Sequence, residues 1–200
     1  MRRVAVVVLA AGRGERFGGP KLIAPLDGRP VIAHVLAAVA AAKPSLAVIV
    51  DTVVVLGFHA AEVEKAVSAS LGIAHIRFVR NPDPGRGLAS SLATGLSSLG
   101  PDVEGALIVL GDQPRLRPAV IEAVADAWAA GDSRVVVPRY AGGGGRNPAV
   151  LDRRAWPLVR DLPADHGMGH LLAADPTLAL VVDVPGTNPD VDTPDDLANL

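Results

Sequence analysis

Six short apolar runs alternate with five Ala- and Leu-rich stretches of helical spacing, and this alternation constrains the fold more than any other feature of the chain. The runs are Val4–Leu9, Val48–Leu56, His75–Val79, Ala106–Leu110, Arg134–Pro138 and Leu178–Val184. The helical stretches are Val31–Ala42, Ala60–Leu71, Leu88–Leu99, Pro118–Ala130 and Gly167–Ala174. Runs such as Val-Ala-Val-Val-Val-Leu and Ala-Leu-Ile-Val-Leu carry no polar alternation. Strands of that kind are covered on both faces, as in a parallel sheet between helices. The pattern predicts an α/β fold with a three-layer, doubly wound, mostly parallel sheet. Ligands of such sheets sit beyond the carboxyl ends of the strands.

The first strand runs directly into Ala10-Ala11-Gly12-Arg13-Gly14-Glu15-Arg16-Phe17-Gly18-Gly19-Pro20-Lys21. Glycines let backbone N–H groups approach phosphate oxygens closely. Arg13, Arg16 and Lys21 bring positive charge to the same place. The spacing excludes two familiar phosphate loops. A Walker loop ends Gly-Lys-Ser/Thr, but here Pro20 separates Gly19 from Lys21 and Leu22 follows. A dinucleotide fingerprint is Gly-x-Gly-x-x-Gly, but Gly18 comes one residue too late after Gly12 and Gly14. The segment reads as a polyphosphate loop of another type, or as a glycine-rich turn with solvated charges.

Other segments carry chemistry at strand ends and helix starts. Gly111-Asp112-Gln113-Pro114 follows a buried strand. Magnesium takes one or two carboxylates with phosphate oxygens and waters, so Asp112 can begin a metal–triphosphate site. A turn Asp that caps the next helix is the competing reading. Asn81 opens a turn-rich segment that reaches a helix through Gly87, Ser90 and Ser91, where anion binding and simple capping both fit. Ala141 to Gly145 read as a flexible hinge or flap, and Arg146-Asn147-Pro148-Ala149-Val150-Leu151 reads as a loop entering a strand. Asp190 and Asp192 share one face of an extended stretch, and Thr193 or Asp192 is placed to cap a short helix with Pro194 at its first position.

Composition removes several function classes. The chain of 200 residues fits one domain. It has 19 basic and 21 acidic residues, with three Phe, two Trp and one Tyr, so neither a basic patch nor base-stacking aromatics argue for nucleic acid. With no Cys there is no thiol catalysis or thiolate metal site, and five scattered His lack zinc-ligand spacing. The longest apolar run, Val31 to Ala42, includes His34 and is too short for a bilayer. Met1-Arg2-Arg3 and the apolar residues after it are followed too soon by the charged loop to be a leader, so a cytoplasmic protein without a membrane partner is expected.

Leu-Ala-Ala-Gly-x-Gly-x-Arg-x-Gly-x-x-Lys resembles the signature loop of nucleotidyltransferases that activate sugars, isoprenoid precursors and molybdopterin. Gly111-Asp112-Gln113-Pro114-x-Leu116, Asn81-Pro-x-x-x-x-Gly87-x-x-Ser90-Ser91-Leu92 and Asp190-x-Asp192-Thr193-Pro194-x-Asp196-Leu197 extend the likeness to the molybdenum cofactor cytidylyltransferase branch of the molybdopterin nucleotidyltransferase-like family. The resemblance implies a Rossmann-like nucleotidyltransferase fold in which residues 1–140 bind nucleotide and 141–200 bind the acceptor and complete the metal site. It implies that Leu9, Ala10, Ala11, Gly12, Arg13, Gly14 and Lys21 hold the nucleotide with Asn81, Gly87, Ser90 and Ser91. Arg16, Lys21 and Asp112 would be catalytic. Asp112 and Asp192, with Asp190 beside them, would hold Mg2+. Gln113, Asn147, Pro148, Asp165 and His166 would meet the acceptor.

The implied reaction is in-line attack of an acceptor phosphate on the α-phosphorus of an NTP, CTP by resemblance, with pyrophosphate leaving. A phosphate monoester is already nucleophilic at neutral pH, so catalysis is positioning and charge neutralisation. Molybdopterin is the implied acceptor, and a molybdoenzyme or its chaperone the implied protein partner. One segment departs: Gly169 stands where the branch carries Arg, and Ala164 where it carries Gly. That departure leaves open a guanylyl- or other nucleotidyltransferase with another small phosphorylated acceptor, such as a phospholactate-type precursor. A nicotinamide-dependent reductase on the same fold and a non-catalytic pterin carrier are the remaining alternatives.

Overall fold

The computed structural model describes residues 1–70, 76–162, 169, 172–173 and 175–200. The first apolar run forms β1 (Arg2–Ala10), in which Val4 to Ala10 are buried. It lies between β4 (Ala47–Leu56) and β6 (Gly105–Leu110), parallel to both. A small hairpin of β2 (Pro25–Leu26) and β3 (Arg29–Pro30) stands apart. With β5 (Ile76–Arg80), β7 (Val135–Tyr140), β8 (Ala149–Asp152) and β9 (Ala179–Val184), the main sheet has seven strands in the order β5-β4-β1-β6-β8-β7-β9. Only β8 among these runs antiparallel to its neighbours β6 and β7.

Both faces of the sheet are covered. Val4, Val6 and Val8 pack with α1 (Val31–Ala41), α2 (Ala60–Ser70) and α4 (Pro118–Ala130). Ala5, Val7 and Leu9 point the other way, toward α3 (Gly87–Ser97) and the 3-10 segment Arg153–Asp161. This two-sided burial explains the missing polar alternation: neither face of β1 meets water. The six apolar runs all become strands, with ends shifted by one or two residues. The seventh strand, β8, follows the Asn147-Pro148 loop, where the pattern shows only a loop entering a strand. The expected helix Gly167–Ala174 lies largely outside the described residues, as do Leu71 and His75. No helix among the described residues is long and apolar enough to cross a membrane.

The parallel registers align Ala10 with Leu56, Leu56 with Arg80, and Leu9 with Leu110. Residues 11–21, Gly57-Phe58, the Asn81 turn and Gly111-Asp112 therefore emerge along one edge of the sheet. At the opposite edge the Asp152 side chain, 3% exposed, accepts from Arg2 Nη2 at 2.7 Å, Arg154 Nε at 2.7 Å and Trp128 Nε1 at 3.2 Å. Burial alone would raise the Asp152 pKa, but its hydrogen bonds to Arg154 and Arg2 outweigh that and hold the carboxyl well below its usual range.

Candidate active site

The loop after β1 closes on Gly14. Its carbonyl accepts from the N–H groups of Phe17, Gly18 and Gly19 at 3.1, 3.0 and 3.2 Å. Gly14 has φ +70°, and a Cβ there would lie 2.0 Å from the carbonyl oxygen of Gly19. Only glycine allows that turn. Pro20 then leads into a 3-10 turn, Lys21–Ile23, which aims the Lys21 side chain back at the strand ends.

Lys21 is the centre of the site. Its Nζ lies 2.6 Å from Asp112 Oδ2 and 2.8 Å from Asp192 Oδ1. Arg16 Nη2 lies 2.7 Å from the other Asp192 oxygen. Burial acts to discharge the Lys21 ammonium, but Asp112 and Asp192 outweigh it and hold its pKa above the ordinary lysine value. Asp112 Oδ1 is buried without a hydrogen-bond partner among the described residues. The N-terminus of α4 is formed at Arg117 with no side-chain cap, so Asp112 does not cap that helix.

Asp192 arrives from the far end of the chain. Val191 N–H donates to the Asp112 carbonyl at 2.9 Å, which ties the terminal segment to the end of β6. Thr193 and Asp196 form a reciprocal capping box at the start of α5 (Pro194–Ala198), and the Asp192 N–H donates to the same Asp196 carboxylate at 3.0 Å. Asp190 faces Gln113, whose Nε2 donates to its Oδ1 at 2.6 Å. Burial chiefly raises the Asp190 pKa; the Gln113 hydrogen bond opposes this, and the charges of Asp112 and Asp192 add to it.

Arg16, Lys21, Asp112 and Asp192 stand on a cleft of about 630 Å³, within the size range of small-ligand sites, and Asp190 is not in its lining. Leu9, Ala10, Ala11, Gly12, Arg13, Gly14, Arg16 and Lys21 line it from one side, and Gly87, Ser91, Asp112 and Asp192 from the other. Asn81 and Ser90 stand behind that wall. Asn81, 6% exposed, donates through Nδ2 to the hydroxyls of Ser90 at 2.8 Å and Ser91 at 3.0 Å. The two serines therefore organise a turn instead of capping α3, whose N-terminus has no side-chain cap.

Of the residues expected to meet the acceptor, Gln113, Asn147 and Pro148 are not in the lining of this cleft. Gln113 is 1% exposed, with its Oε1 accepting from Asn188 at 2.9 Å, so its amide is spent on Asp190 and Asn188. The Asn147 carbonyl accepts from the Tyr140 hydroxyl at 2.8 Å, and burial pushes the Tyr140 pKa up to about 12. Pro148 is buried beside it. Asp165 and His166 lie outside the described residues. The Gly142–Gly145 segment is exposed, and Gly142 N–H donates to the Gly186 carbonyl at 3.0 Å.

Sequence reasoning missed Phe58, which also lines the cleft, and Asn188, which braces Gln113. The position of Phe58, two residues beyond the carboxyl end of β4, was the available signal. Among the described residues no three His, Cys, Asp or Glu side chains form a group able to hold a metal ion. Asp112 and Asp192 share one cation, and Asp112 has an unused oxygen. That donor set suits a hard divalent ion completed by phosphate oxygens and water.

The model of the MobA-like NTP transferase domain family matches residues 6–184. Among solved structures, Rv0371c from Mycobacterium tuberculosis is 28% identical with a TM-score of 0.81, over 99% of this chain and 97% of that one. Rv0371c has also been solved in complex with manganese. A nucleotidyl transferase from Methanothermobacter thermautotroptrophicus is 26% identical with a TM-score of 0.72, over 98% of this chain and 94% of that one. The bifunctional protein GlmU of Dinoroseobacter shibae is 39% identical over 146 residues, 72% of this chain. The chain spans only 30% of the length of that relative.

Proposed function

The chain belongs to the MobA-like NTP transferase domain family, and from that premise we propose that it transfers a cytidylyl group from CTP to the phosphate of molybdopterin, releasing pyrophosphate. The carrying observation is the Lys21 ammonium bridging Asp112 and Asp192 at the mouth of a glycine-walled cleft. Backbone N–H groups of the Ala10–Gly14 loop would cradle the β- and γ-phosphates. Arg16 and Lys21 would turn from Asp192 to the α-phosphate and the departing pyrophosphate. Asp112 and Asp192, with Asp190 next to them, would hold Mg2+, which supplies charge neutralisation on the phosphates when bound. The acceptor would enter from the side of residues 141–200, and its product would pass to a molybdoenzyme or its chaperone.

The choice of CTP and molybdopterin rests on the Gly111-Asp112-Gln113-Pro114 and Gly87–Leu92 segments. A second reading, another NTP with another small phosphorylated acceptor, is favoured by the likeness to GlmU and by Gly169 in place of an arginine. Pyrophosphate release with CTP, GTP, ATP and UTP, each with Mg2+ and with or without molybdopterin, separates the two. Release confined to CTP with molybdopterin supports the first reading. Binding of another triphosphate without that release supports the second. Binding of NADH and of no triphosphate would point to a reductase, and both readings would fail.

A further inference from the structure

Of the three cations in the loop, Arg16 and Lys21 are engaged with Asp192, whereas the one ion pair of Arg13 among the described residues is with the exposed carboxylate of Glu15, at 3.3 Å. Its guanidinium carbon lies 4.1 Å from the centroid of the Phe58 ring. Phe58 is 39% exposed and belongs to neither apolar core, yet it lines the cleft. Its backbone is locked to the loop on both sides. Phe58 N–H donates to the Ala11 carbonyl at 3.4 Å, and His59 Nε2 lies 3.0 Å from the Arg13 carbonyl. Gly57 sits so close that a Cβ would fall 2.4 Å from that same Ala11 oxygen. The residues just beyond β4 therefore set the course of residues 11–13.

We infer that Phe58 is a positioning residue that holds Arg13 ready for the triphosphate. The inference rests on the nucleotidyltransferase reading and adds to it a residue outside the signature loop. A guanidinium stacked face-on keeps its in-plane N–H donors free, and those are the edges a phosphate uses. The ring opposes the pull of Glu15 and limits the rotamers of a long, exposed side chain, so less freedom is lost when phosphate binds. Arg13 is then the cation that can meet the β- and γ-phosphates without first leaving an acidic partner in the metal-holding pair.

A double-mutant cycle tests this, with CTP–Mg2+ and inorganic tripolyphosphate as probes in calorimetry. An exposed cation–π contact corresponds to a factor of about two to five in an equilibrium constant. Phe58→Leu is expected to weaken both probes by about that factor, raising the KM for CTP while kcat stays near wild type. Phe58→Tyr is expected to restore binding. In an Arg13→Ala background, Phe58→Leu should have no further effect. Unchanged melting temperatures would show that the exposed ring is not a folding element. Additive effects in the cycle overturn the inference. So does a loss for CTP with none for tripolyphosphate, which would place the ring against the base. If the wild-type protein binds no nucleoside triphosphate at all, the nucleotidyltransferase reading falls and this one with it. Wild-type binding with an additive cycle sinks only the role of Phe58.

Discussion

Replacing Lys21 by Met should make the nucleotide-free protein bind a divalent cation more tightly, although the proposed reaction uses that lysine. In the structure the ammonium occupies the position between Asp112 and Asp192, at 2.6 and 2.8 Å. A metal ion entering there must displace or repel that charge. Each charge-assisted hydrogen bond is worth about 1.5–3 kcal/mol, and the partly exposed Asp192 lowers the sum by solvent screening. We take about 1.5–3 kcal/mol for the pair, which corresponds to roughly a 10- to 100-fold gain in affinity. Methionine keeps the apolar stem, so the packing near Leu22 is preserved. Mn2+ titration followed by electron paramagnetic resonance, without nucleotide, reads the effect directly. The same variant should bind CTP–Mg2+ less tightly and lose turnover, because the cation facing the phosphates is gone. Asp112→Asn in the Lys21→Met background should abolish the gain. Mn2+ affinity that stays level or falls in Lys21→Met would refute the competition between lysine and metal.

Three other substitutions test separate parts of the structure. Asp152→Asn leaves Arg2 and Arg154 without their buried carboxylate and should cost about 3 kcal/mol, or roughly 6–12 °C in melting temperature for a chain of this size. The carboxyl is depressed in the folded state, so its contribution is complete above the unfolded value of about 4 and is lost as pH falls below it. Urea unfolding at pH 7 and at pH 3 should therefore show the gap between wild type and Asp152→Asn narrowing at low pH. Thr193→Ala removes the cap of α5 and should cost about 1 kcal/mol in unfolding experiments. It should also weaken Mn2+ binding, because the capping box fixes the residue next to Asp192. Gly14→Ala forces a Cβ into the Gly19 carbonyl, so CTP–Mg2+ should no longer raise the melting temperature of a protein that still folds.

The layers and the strand ends were legible because burial on both faces leaves a continuous apolar run, and β1 and β6 are such runs. The direction of β8 was harder to see: a loop entering a strand was legible, but four residues carry too little pattern to show that it runs antiparallel to β6 and β7. That the glycine-rich loop and Asp112 would stand together was legible for a different reason: each directly follows one of the strands β1 and β6. Asp192 is separated from Asp112 by 80 positions, and no local spacing joins them. What joins them is the Val191 hydrogen bond to the Asp112 carbonyl, a long-range contact. The role of Asn81 was also obscured, because a buried amide that holds two serines looks in sequence like an ordinary turn residue.

The balance of charge at the centre bears on how such a site can exist before any ligand arrives. Asp112 and Asp192 line the cleft with Asp190 close to both, and the Asp190 pKa is raised first by its burial and then by their charges. Arg16 and Lys21 offset those charges from the loop after β1. Asp112 and Asp192 are therefore each paired with a cation before any ligand arrives. A free triphosphate would have to pull Lys21 from two carboxylates, and a free metal ion would have to displace it. A metal–triphosphate complex offers each side its opposite partner at once: carboxylates gain the metal as Arg16 and Lys21 gain phosphate. Binding of the two should thus be cooperative, with Lys21 as the group both must displace. That coupling is reciprocal by thermodynamic necessity. The factor by which CTP tightens Mn2+ binding must equal the factor by which Mn2+ tightens CTP, and both should shrink in Lys21→Met.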